Sequence, residues 1–253
     1  MGMHGRVVST IIGVRGSLPG VMRAGAPASF GLLMKSSTVT DRRSSIPDIL
    51  PWIWAPAVVA RRLPLTVGLT TAMLATAIAT GALTHHLTRS TRALDHFGYG
   101  LPALQRGEYA TLLTSLVVAL SPRMLATIAS FVVGFVAPYE WFAGARRAVL
   151  IFLITQLGGF LLTSLVAWPL GALHFGWGEY LATTRDVGAS AGAFGCAGAL
   201  LWCLPAPWRR PATLALAGAL AMLLLFSHHI WDVEHAIAAP LGYGLGAWLE
   251  GRR

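Results

Sequence analysis

The sequence predicts an all-α, polytopic membrane protein, and three observations carry that prediction. Of the 253 residues, 55% are hydrophobic and only 11% are charged, about half the charged fraction of an ordinary soluble domain. Apolar runs long enough to cross roughly 30 Å of hydrocarbon recur along the chain. Arginine pairs flank them: Arg61–Arg62, Arg146–Arg147, Arg209–Arg210 and Arg252–Arg253. Basic residues in that position orient membrane proteins. The net charge of +9 is thereby explained by the bilayer surface, and no aromatic-and-basic motif points to nucleic acid.

Residues 1–60 mix Arg, Ser, Gly and Pro with short apolar pieces and hold two acids, Asp41 and Asp48. They read as a basic, disordered cytoplasmic tail, with 46–60, including Trp52 and Trp54, lying at the interface. Val7–Val14 is too short and too broken by Ser9–Thr10 to be a secretory signal. The membrane domain, 61–253, is expected to hold six spans, near 65–84, 121–137, 147–168, 187–204, 211–227 and 233–249. A polar segment from His85 to Glu108 hugs the interface, and Tyr109–Leu120 leads into the second span. Pro138–Ala145 and Pro169–Asp186 are read as connections. Pro122 suits a first helical turn, where its missing N–H has no partner to lose. Six spans put both termini on one side. The four pairs supply eight arginines to that side against five in the opposite loops (Arg89, Arg92, Arg106, Arg123 and Arg185). The termini are therefore expected in the cytoplasm, with the protein in the plasma (inner) membrane.

The fourth span is unusual. Gly188, Gly192 and Cys196 recur every four residues, as do Ala191, Gly195 and Ala199, giving two smooth faces for close helix packing in lipid. Cys196 and Cys203, about 10 Å apart along this helix, are too distant for a disulfide. Ser190 falls in its first turn. His235 falls at the same depth in the sixth span, which runs in the same direction and carries its own stripe, Ala238, Gly242 and Gly246. A serine in a packed helix has a plain role, bonding back to the preceding turn, and a histidine at a helix start can simply cap it. A hydroxyl and an imidazole at one depth have another use, because a base within reach makes serine a nucleophile. Ionisable groups inside a membrane helix are costly and mark function by default.

His228, His229, Asp232 and His235 could share a helical face, and imidazole with carboxylate suits several transition metals. The junction of two spans has a simpler use for them as an interfacial polar cap, so no metal and no other cofactor is expected. His85, His86 and His96 read as a wet loop, and Gln156 as a bond to a neighbouring helix.

Several stretches in order resemble the rhomboid family of intramembrane serine proteases. Arg106–Pro122 is similar to the segment entering that family's second helix. Gly134, followed by Tyr139-Glu-Trp-Phe-Ala-Gly144 and Arg146–Arg147, resembles its Glu-containing connection. Gly188-Ala-Ser-Ala-Gly-Ala-Phe-Gly195 resembles its G-x-S-G motif, and His235 with Ala238 and Gly242 its H-x-x-G-x-x-x-G. The resemblance covers about residues 100–250. It implies a six-helix bundle in which Ser190 attacks a scissile carbonyl and His235 serves as general base, then general acid. The partners implied are the bilayer and transmembrane proteins cut near the outer face.

The pattern departs at the oxyanion. The family's His and Asn on the second helix align with Met124 and Ile128, and an earlier His with Ala119. The support that remains is Gly188, Ala191, Thr127 and the Ser190 backbone N–H, with Ser130 nearby. Ala191 and Ala238 stand where the family keeps glycine, and Pro240 interrupts the sixth span. These departures imply an alternative, a rhomboid-like pseudoprotease that binds membrane-protein clients without cutting them.

Overall fold

The computed structural model describes residues 56–84, 87, 92–174 and 176–251, without the side chains at 92 and 93. The expected tail up to residue 55, with Trp52 and Trp54, lies outside the described residues, as do His85, His86 and Arg252–Arg253. Among the described residues every regular element is helical. In order they are α1 (Pro56–Arg62), α2 (Pro64–Thr80), α3 (Arg92–Phe97), α4 (Leu101–Gln105), α5 (Thr111–Thr114), α6 (Pro122–Phe131), α7 (Ala137–Ala143), α8 (Ala145–Ala172), α9 (Gly176–Thr183), α10 (Ser190–Leu200), α11 (Ala206–Phe226) and α12 (Ile230–Glu250).

Two expected connections are helical instead. A π-helical segment, Val132–Val136, joins α6 to α7 without a break, and Pro138 lies just past that π turn, where the regular α-helical ladder is already interrupted. The turn comes later, at Gly144, whose φ of +89° suits glycine. Likewise α8 runs past Pro169 to Ala172, and α9 follows within the expected loop. Two glycines allow that hairpin. A Cβ on Gly178 would lie 2.4 Å from that of Leu170, and one on Gly171 would lie 2.6 Å from that of Ala182.

Among the described residues three helical stretches are long and apolar enough to cross a membrane: Pro122–Ala143, Ala145–Ala172 and Ala206–Phe226. A fourth is counted if Pro56–Arg62 and Pro64–Thr80, bent by 104°, are one span. The expected fourth span, 187–204, is helical over Ser190–Cys203, apolar but short, about 21 Å at 1.5 Å per residue. The expected sixth, α12, has 21 residues but opens on a turn carrying Asp232, Glu234 and His235.

Helices α8, α10 and α12 form the core, and their register follows from where glycine lets backbones meet. A Cβ on Gly242 would lie 1.9 Å from the Gly195 carbonyl oxygen, and one on Gly246 would lie 2.8 Å from the Ala199 Cα. Numbers rise together on the two helices, so α10 and α12 run parallel. Gly192 meets Phe152 and Gln156, Gly195 meets Thr155, and Gly159 meets Ala191. Here numbers run oppositely, so α8 is antiparallel to α10. The small-residue stripes therefore receive two different neighbours, and Ser190 and the first turn of α12 share one end of the bundle. α12 continues past Pro240 as one element. By contrast α11 buries only Leu220 and turns Leu214, Met222, Leu225 and Phe226 outward.

Among the described residues Arg62, Arg147 and Arg209, one from each of three arginine pairs, gather at the opposite end. Arg62 lies over Trp141, Arg147 holds Glu250 at 2.8 Å, and Arg209 lies over Trp202. Beside them the buried Glu140 accepts from the N–H groups of Leu65 (2.7 Å) and Thr66 (2.9 Å) and from the Thr66 hydroxyl (2.8 Å). It thus caps α2, whose first N–H groups have no partner within the helix. Glu140→Ala is expected to lower stability by about 3 kcal/mol, because buried donors lose a charged acceptor. Thermal unfolding in detergent checks this, with Thr66→Val, which removes one of the three bonds, costing less than half as much.

Candidate functional site

The segment before Ser190 is pinned from three sides. The Asp186 and Tyr99 backbones pair through bonds of 2.9 and 3.0 Å, and the Val187 N–H donates to Asp186 Oδ1. The Gly188 N–H donates to the Ser115 carbonyl at 2.8 Å. Its own carbonyl accepts from Gln156 Nε2 at 2.8 Å, while Gln156 Oε1 accepts from the Gly192 N–H. Gln156 is thus the interhelical bond expected of it, clamping both sides of the serine. Gly188 has φ of +124°, a conformation that an L side chain rarely adopts, so the glycine is required by the turn that starts α10.

Ser190 and His235 line one cavity of about 460 Å³ at this end of the bundle. Its wall is mostly apolar, with Met124, Ile128, Phe131, Val187, Leu223 and Trp231, and Ser121, Arg123, Thr127, Asp186 and Asp232 add the polar groups. The His235 ring stacks on Phe194 at 4.1 Å and 19°, and Phe131 meets it edge-on at 6.2 Å. His235 is buried, and neither ring nitrogen has a hydrogen-bond partner. The hydroxyl and the imidazole therefore share a cavity without a bond between them.

The remaining expected residues fall as follows. Ile128 Cδ1 and Met124 Cε lie 2.7 and 3.9 Å from where a Gly188 Cβ would be, so two apolar tips cover the backbone leading into Ser190. Thr127 lines the cavity, but its hydroxyl donates to the Arg123 carbonyl at 3.0 Å, and that of Ser130 to Thr127. Ala191 is fully buried and serves packing. The first-turn N–H groups of α10 have no acceptor within the helix, apart from that of Gly192, which Gln156 holds. Asp232 lines the cavity but is engaged as a helix cap. Its Oδ2 accepts from the His229 N–H at 3.0 Å and from the Ser227 hydroxyl, capping α12. Among the described residues no three His, Cys, Asp or Glu side chains converge on a point where a metal would sit.

Sequence reasoning passed over the groups that hold this end together. Buried Arg185 donates to the carbonyl of Asp95, to that of Gly98 at 3.0 Å, and to Glu108. That bond holds the Glu108 carboxyl below the usual glutamate range. Next to it, the Tyr99 hydroxyl donates to Glu234 Oε2 and lies 3.4 Å from Asp186 Oδ2. Burial pushes that hydroxyl well above the usual tyrosine range, and both carboxylates push the same way. The available signal was Asp186, an acid set just before the small-residue run, and Glu234, an acid inside an apolar helix.

No protein-family model, no curated protein and no solved structure matches this chain.

Proposed function

We propose that this is a rhomboid-like, six-span membrane protein whose cavity is the site of a slow intramembrane serine endopeptidase. One observation carries the reading: Ser190 and His235, 45 residues apart in the chain, line the same cavity at the same end of two parallel helices. In this reading Ser190 attacks a carbonyl of a transmembrane protein, and His235 takes its proton and returns it to the leaving amine. The apolar wall suits a segment unwinding from a membrane helix. The short α10 spans with the help of its 3-10 turn, Leu201–Cys203. The end bearing the arginine pairs faces the cytoplasm, with both termini, and the serine end faces outward. Reaction is slow because Met124 and Ile128 occupy the place of two oxyanion donors, each worth about 10²–10³ in rate. Only backbone N–H groups of the α10 first turn remain to hold the developing charge.

The same two residues, with the unbonded His235 nitrogens, favour a second reading, a pseudoprotease that holds membrane-protein clients in this cavity without cutting them.

A fluorophosphonate separates the two. Under the first reading purified protein is labelled at Ser190, and His235→Ala abolishes labelling. Folded protein that takes no label from any serine-directed probe leaves the client-binding reading standing alone.

A further inference from the structure

Helix α11 meets the rest of the bundle loosely, and the gap between it and α12 has a defined shape. Small residues on facing helices ordinarily let backbones close up in lipid, as they do between α10 and α12. Ala217 and Ala221 on α11 and Ala236 and Ala239 on α12 instead line a groove of about 390 Å³. Along α11 it extends from Thr213 to Leu224, about 16 Å at 1.5 Å per residue. One leaflet of hydrocarbon is about 15 Å deep, so the groove has the length of a single acyl chain.

One end of the groove is polar. Thr213 and Tyr243 stand there, at the end of the bundle where the arginines gather. The Thr213 hydroxyl donates to the Arg209 carbonyl at 2.7 Å, and the Tyr243 ring lies 5.3 Å from that of Trp202. The Arg209 guanidinium in turn sits 4.2 Å over Trp202. The groove therefore ends beside a stacked arginine and tryptophan.

These two side chains can only donate hydrogen bonds. Arg209 Nε and Trp202 Nε1 are both buried, and among the described residues neither has an acceptor. Leaving a buried donor unpaired is costly. Arg147, at the same end, is held by Glu250, but among the described residues no carboxylate pairs with Arg209 or with the exposed Arg210 beside it. An apolar groove one leaflet long thus meets two positive charges and two unpaired donors, which suits the tail and head of one molecule.

We propose that this groove binds an anionic phospholipid of the cytoplasmic leaflet, with one acyl chain between α11 and α12 and the phosphate held by Arg209 and Trp202. A planar guanidinium already fixed by stacking offers a fork that fits two phosphate oxygens, and Arg210 adds charge. The chain supplies the van der Waals contact that α11, which buries only Leu220, lacks against its neighbours. The site needs the bilayer and is independent of any chemistry at Ser190.

The test is a lipid titration of the full chain in neutral detergent, read by native mass spectrometry. Dioleoyl phosphatidylglycerol, dioleoyl phosphatidylcholine and inorganic phosphate are the probes. One phosphatidylglycerol per chain is expected to bind about ten-fold more tightly than phosphatidylcholine, since each arginine near an anionic headgroup is worth several-fold in affinity. Arg209→Gln should bring the two lipids level. Arg146→Gln removes an exposed arginine from the same end and should leave the preference in place. Ala221→Phe fills the groove from an exposed position and should abolish the tight binding, with Ala217→Leu as a second, smaller filling. Equal affinity for the two lipids overturns the proposal, as does an equal loss from Arg146→Gln and Arg209→Gln, which would mean attraction to surface charge alone. Folded groove-filling variants that hold phosphatidylglycerol as tightly as before also overturn it. So does displacement of that lipid by millimolar inorganic phosphate, which would mark a site for the free ion.

Discussion

Met124→His together with Ile128→Asn is expected to raise the rate at Ser190 by about 10⁴-fold or more. Each restored oxyanion donor is worth roughly 10²–10³. The geometry favours the gain, because both side chains line the cavity and their tips reach the backbone at Gly188, one residue short of the α10 first turn. Donors there would complement the N–H groups of that turn, aimed where the oxyanion forms. Ile128 is buried, so an asparagine costs about 1–3 kcal/mol unless it finds a partner. That loss is read separately by thermal unfolding. The measurement is the rate of fluorophosphonate labelling, and of cleavage of a transmembrane reporter, with Ser190→Ala added as the zero. If the double variant folds and both rates stay at that zero, the barrier is not the missing oxyanion. The cavity is then a client site.

The fold was legible where a single helix decides the pattern. Apolar length and arginine pairs marked an all-helical chain with membrane-length segments, because burial in hydrocarbon constrains composition directly. Among the described residues three of those segments, or four with the bent pair, are long and apolar enough to span. The stripes on 188–199 and 238–246 also foretold which faces would meet, since only small residues let backbones approach. What stayed hidden depends on pairs of elements. Pro138 and Pro169 look like breaks, yet the helix runs through both. Pro138 lies just after the π turn and Pro169 within the last turn of α8, and only the neighbouring turns show it. At the site, Ser190 and His235 could be placed at one depth from span direction alone. Their rotation about the helix axes could not. Phe194, one turn beyond Ser190, fixes the ring of His235 by stacking, and nothing in a linear sequence announces that a phenylalanine will hold a histidine. Tyr99 is harder still, because its partners lie 87 and 135 residues away.

The largest effect on folding is expected from Gly242→Val, which should prevent α10 and α12 from packing. In lipid, helices are drawn together by van der Waals contact and not by water, so the closest backbone approach carries the association. At Gly242 that approach is extreme. An added Cβ would lie 1.9 Å from the Gly195 carbonyl oxygen, 2.6 Å from its carbon and 2.8 Å from its Cα. The obstacle is the backbone of another helix, which no rotamer change can move aside. The helices must separate along their length, and the contacts at Gly246 with Ala199, and at Gly198 with the Ala239 carbonyl, go with them. The cost should exceed about 4 kcal/mol, a large part of the 5–15 kcal/mol that holds a typical domain together. Gly244→Ala and Gly218→Ala are the controls, since a Cβ at either meets nothing within 4 Å. In a helix each should be neutral or gain up to about 1 kcal/mol over glycine. Unfolding temperature and monodispersity in detergent distinguish the cases. A Gly242→Val protein as stable as the controls would mean that α10 and α12 do not meet backbone to backbone, and Ser190 and His235 would then have no reason to share a cavity.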